Sequence, residues 1–73
     1  MTGGTVERSA AISELLGAAD AFAERALAQE ARRDRARPGT AAHHQHAHSA
    51  TLWRVAEQTL RARISELELM STT

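Results

Sequence analysis

The sequence contains no cysteine, no lysine and no tyrosine, and only one proline, one phenylalanine and one tryptophan among 73 residues. Without cysteine there is neither a disulfide nor a thiolate zinc site to staple the fold, and a chain this short buries only about 60% of the surface that its unfolded form exposes. Of the 31 apolar residues 16 are alanine, so 14 large apolar side chains remain once Met1 is set aside. A self-sufficient core is therefore not expected, nor is enzymatic activity from a chain too small to wall off a pocket. No apolar run approaches the ~20 residues that span a bilayer, and MTGGTVERSA has neither the basic nor the apolar region of an export signal. A cytoplasmic location with no membrane partner is the expectation. An excess of charge of one sign is missing too: nine arginines balance nine acidic residues, which disfavours broad attraction to nucleic acid or anionic lipid. Valine and isoleucine together number four and nowhere alternate with polar residues, so strands have no support.

What remains is helix-forming. Residues 1–4 read as a flexible leader, and Thr5 or Ser9 offers a hydroxyl to cap a helix over 5–37. Pro38-Gly39-Thr40 is the only strong punctuation: proline forbids continuation, glycine tolerates a left-handed backbone, and Thr40 can cap the next helix. That second helix is expected over 41–70, its His-rich start (41–49) being either helix or loop, with a flexible tail at 71–73. Gly17, inside the first helix, costs about 1 kcal/mol relative to alanine, which a close backbone approach or a local break would explain.

Apolar positions recur at three- and four-residue spacing, as one face of a helix requires. Ile12, Leu15, Ala19, Ala23 and Ala26 form one stripe, and Trp53, Ala56, Leu60, Ile64 and Leu67 another. Folding back at the turn pairs them antiparallel with residue numbers summing to 79, small side chains meeting large ones. The expected fold is an all-α, antiparallel two-helix hairpin, coiled-coil-like along its seam. Phe22, Leu27, Leu52, Val55 and Leu69 fall outside that seam, so the hairpin is expected to dimerise into a four-helix bundle or dock on a larger protein. Glu57–Arg61, Glu30–Arg33 and Arg63–Glu66 have salt-bridge spacing, each worth about 0.2–0.5 kcal/mol.

The turn region carries the only chemically distinctive residues. All four histidines, His43, His44, His46 and His48, fall within six positions, and imidazole binds Zn, Ni or Cu without help from cysteine. In a helix, His44 and His48 at i,i+4, or His43 and His46 at i,i+3, would share a face. No HExxH motif accompanies them, so hydrolytic zinc chemistry is not indicated. The same imidazoles, protonated beside Arg32, Arg33, Arg35 and Arg37, would repel one another, which makes pH sensing the companion of metal sensing. The arginines themselves spread around the helix with no aromatic residue for base stacking, so they suit a helix C-terminus better than nucleic acid. A helical interaction or structural protein, partnered by itself or by a larger protein, is the leading expectation. A metal- or pH-sensing protein is second, and an Arg-rich nucleic-acid accessory third.

Overall fold

In the computed structural model, which describes residues 3–71, two helices, α1 (Gly3–Arg35) and α2 (Ala41–Ser71), pack against each other as a hairpin. The expected leader residues Met1 and Thr2, and the tail residues Thr72 and Thr73, lie outside the described residues. α1 begins at Gly3, so Thr5 and Ser9 lie inside the helix and cap nothing. It ends at Arg35, two residues short of the expected end, because a residue before proline is driven out of the α region and Arg37 precedes Pro38. The Ala36 N–H closes that end by donating to the carbonyls of both Arg32 (3.0 Å) and Arg33 (3.2 Å).

The reversal is a four-residue turn, Arg37-Pro38-Gly39-Thr40, closed by the Thr40 N–H on the Arg37 carbonyl at 3.2 Å. Gly39 has φ of +86°, which the third position of a type II turn demands and a side chain would strain; proline suits the position before it. Thr40 then caps α2: its hydroxyl oxygen accepts from the His43 N–H at 3.2 Å while donating to the Arg37 carbonyl at 2.7 Å. That cap makes residues 41–49 helical from the first turn, which answers whether the histidines sit on a helix or a loop.

Packing obeys a seven-residue repeat. On α1, Ile12, Ala19, Ala26 and Arg33 alternate with Leu15, Phe22 and Gln29; on α2, His43, Ala50, Glu57 and Ile64 alternate with His46, Trp53, Leu60 and Leu67. Every one of these residues is buried or half-buried, the pattern of a coiled-coil seam. The most deeply buried are small, with Ala19 and Ala26 at 0% exposure and Ala50 at 3%, joined by Ile64 at 4%. Across the seam the His43 ring meets the Arg33 carbonyl, His46 meets Gln29 and Phe22 meets Trp53. Their residue numbers sum to 75 or 76, whereas the edge pairs Arg61–Asp20 and Arg54–Glu30 sum to 81 and 84, so the contacts fall to either side of the expected 79. Two positions depart from the expected stripes. Phe22 rather than Ala23 meets Trp53, and Glu57 takes a seam position between Trp53 and Leu60 that an apolar stripe drawn through Ala56 had skipped.

The hairpin is long and thin, 57 × 15 × 12 Å, with a radius of gyration of 16.6 Å. A compact chain of this length would have about 11 Å. Gly17 lies on the exposed outer side of an unbroken α1, and a Cβ there would meet nothing within 4 Å. Neither a close approach nor a break accounts for it.

Candidate functional site

Three features of the hairpin carry chemistry. The first is a chain of ion pairs along one edge. Arg54 on α2 grips Glu30 on α1 with two bonds, Nε to Oε2 at 3.0 Å and Nη2 to Oε1 at 2.9 Å, and its Nη1 donates to Glu57 Oε1 at 2.9 Å. Glu57 Oε2 in turn accepts from Arg61 Nε at 2.8 Å, and Arg61 Nη2 reaches back to Asp20 on α1 at 3.2 Å. Two ion pairs thus tie the helices together among the described residues, one of them with the planar fork that suits carboxylates best. Glu30, expected to pair with Arg33, is taken by Arg54; Arg33 binds Asp34 instead. The expected Glu57–Arg61 and Arg63–Glu66 pairs form, each at 2.8 Å.

These contacts set the acid response. The hydrogen bond from Arg54 holds the Glu30 carboxyl below its usual value of 4.5, against a partial desolvation that acts the other way. Hydrogen bonds from Arg61 and then Arg54 lower Glu57 likewise, and the same bonds hold Arg54 and Arg61 more firmly protonated than usual. A carboxylate with a depressed folded-state pKa stabilises the fold fully above its unfolded value and loses that contribution as pH falls through the folded one. The melting temperature is therefore expected to drop as the solution is acidified from about pH 5 to about pH 3. Glu57→Gln should melt lower at neutral pH and show a shallower acid slope. Thermal melts of both proteins across that window check this, and identical slopes would remove Glu57 from the acid response.

The second feature is the aromatic cluster. Phe22, expected on an outer contact surface, lies instead against Trp53, with ring centroids 5.2 Å apart and a 51° tilt, while the Arg25 guanidinium stands 4.9 Å from the Trp53 ring. An aromatic pair of this kind contributes about 0.5–1.5 kcal/mol beyond its burial. Of the expected seam residues, Ala19, Ala26 and Ile64 are buried, and Ile12, Leu15, Ala23, Trp53, Ala56, Leu60 and Leu67 are half-buried. The rest of the expected outer surface is open to solvent: Leu27, Leu52, Val55 and Leu69 are 53–70% exposed, as is Val6 at 67%.

The third feature is the histidine segment, which the hairpin divides. His43 and His46 sit half-buried in the seam and turn toward α1: the Nδ1 of His43 donates to the Arg33 carbonyl at 3.1 Å, and that of His46 to Gln29 Oε1 at 2.8 Å. His44 and His48 are exposed on the outer side of α2. Among the described residues no three histidine, aspartate or glutamate side chains converge as a metal-holding group, and no pocket forms. Nor is any helix long and apolar enough to cross a membrane. Gln29 and His43 were not legible as seam residues from apolar spacing because both are polar; their signal was the seven-residue step running Phe22, Gln29, Ala36 on α1 and His43, Ala50, Glu57 on α2. No protein-family model, no curated protein and no solved structure matches this chain.

Proposed function

We propose that this chain is a small helical interaction protein that self-associates, two hairpins meeting along the outer face of α2 to form a four-helix bundle. The observation that carries this is area. The chain exposes 5300 Å² for its 7.9 kDa, where a compact monomer of that mass exposes about 4,400 Å². The excess of about 900 Å² is close to the ~800 Å² that each partner contributes to a stable interface.

The surface available to cover that area runs opposite the seam: Leu52, Val55, Thr59, Ala62 and Leu69 lie one behind another at helical spacing, with Leu52, Val55 and Leu69 exposed at 56, 53 and 70%. Charge favours an antiparallel arrangement. The turn end carries Arg32, Arg33, Arg35 and Arg37 against Asp34, whereas the open end carries Glu7, Glu14, Glu66 and Glu68 against Arg8 and Arg63. Laid head to tail, two copies bring each positive end beside a negative one.

Light scattering after gel filtration, in the presence of chelator, tests the proposal. Twice the chain mass is expected, with Val55→Arg reverting to the single-chain mass while keeping its helical circular dichroism. A single-chain mass for the unaltered protein at high concentration would overturn self-association and leave the α2 face to a larger partner.

A further inference from the structure

We infer that His44 and His48 form a two-imidazole site for a borderline divalent cation, Cu, Ni or Zn, on the outer face of the first two turns of α2. The Thr40 cap and the unbroken α2 beyond it place residues 44 and 48 one helical turn apart on one side. That i,i+4 spacing is the one by which two histidines on a helix chelate a single ion. In a loop the same sequence would carry no such geometry.

The fold separates this pair from the other two histidines. His43 and His46 each spend Nδ1 on α1, with rings held in the seam. His44 and His48 are exposed, and the ring contact at this pair is the edge of His44 against His43, centroids 5.9 Å apart. No cationic side chain occurs on α2 before Arg54, so none lies within a turn of the pair along its own helix. The nearby cations belong to the end of α1 and the turn, where Arg33 is already engaged by Asp34. With two protein ligands, solvent fills the remaining coordination positions, and imidazole nitrogen is the protein's sole contribution to holding the ion. Affinity should then run in the order Cu above Ni and Zn, with no measurable binding of Mg or Ca, which prefer oxygen ligands. The inference does not rest on self-association, since both ligands come from one chain.

Calorimetric titration of the full chain with Cu, Ni and Zn chlorides, at a pH where imidazole is neutral, tests it. One ion per chain is expected, with binding weakened at least tenfold in His44→Ala and in His48→Ala. Because both side chains are exposed and alanine favours helix, each variant should melt with the unaltered protein, so a loss of binding is not a loss of fold. A third variant, His43→Ala with His46→Ala, should lower the melting temperature while keeping the Cu affinity of whatever fraction is folded. Binding that survives loss of His44 and His48, or that falls evenly with each of the four histidines as an adventitious His-rich tract would show, overturns the assignment.

Discussion

Replacing Ile64 by alanine should destabilise the hairpin more than any other single truncation. Ile64 is 4% exposed and is the one large apolar side chain among the four most buried residues, the others being alanines. Removing a buried isoleucine to alanine costs about 2–5 kcal/mol, transfer and cavity together. A chain of this length has a total stability of only about 4–11 kcal/mol at typical values per residue. The melting temperature should fall by at least about 10 °C, read by circular dichroism at 222 nm. Val6→Ala, which truncates a side chain 67% exposed, should stay within about 0.5 kcal/mol of the unaltered protein. Equal losses in the two variants would mean that the seam does not run through Ile64.

Ala26→Leu should do comparable damage by the opposite route. Ala19 and Ala26 have no exposed surface and Ala50 almost none, so the helices approach closely where small residues face one another. A leucine at position 26 has no space to enter, and overpacking of this kind costs about 1–3 kcal/mol through off-rotamer side chains and displaced backbone. The strain falls one turn from Phe22, whose ring packs on Trp53. Trp53 should report it as a red-shifted emission maximum and a weaker near-ultraviolet dichroism. Ala28→Leu, on the exposed outer side of α1, should leave the tryptophan signal unchanged. An unshifted spectrum in Ala26→Leu would show that the helices are not in close contact there.

How much of this was legible in the sequence depended on how local the cause was. The turn was fully marked, since Pro38, Gly39 and Thr40 each act within a few residues of themselves. The apolar stripes located the general seam, because Ile12, Leu15, Ala19, Ala26, Trp53, Leu60, Ile64 and Leu67 do lie toward the partner helix. The same logic failed where polar side chains occupy seam positions. Glu57 is only 13% exposed at its side chain because two guanidinium groups satisfy its carboxylate, and hydrophobicity alone could not place it inward. Gln29 and His46 meet across the seam by a hydrogen bond of 2.8 Å, a polar pair of the kind that sets register in coiled coils.

By itself, then, the sequence determined two long helices, a reversal at residues 38–40 and an apolar face on each helix. Helix propensity, capping and proline sterics operate over one turn of chain and need no distant partner. Only the tertiary structure decided which rows interdigitate, that Phe22 faces inward, and how the four histidines are shared between seam and solvent. Those outcomes rest on contacts between residues far apart in sequence, His46 with Gln29, Arg54 with Glu30 and Arg61 with Asp20, at separations of 17, 24 and 41 residues. No pattern confined to a single helix encodes the register in which two helices meet.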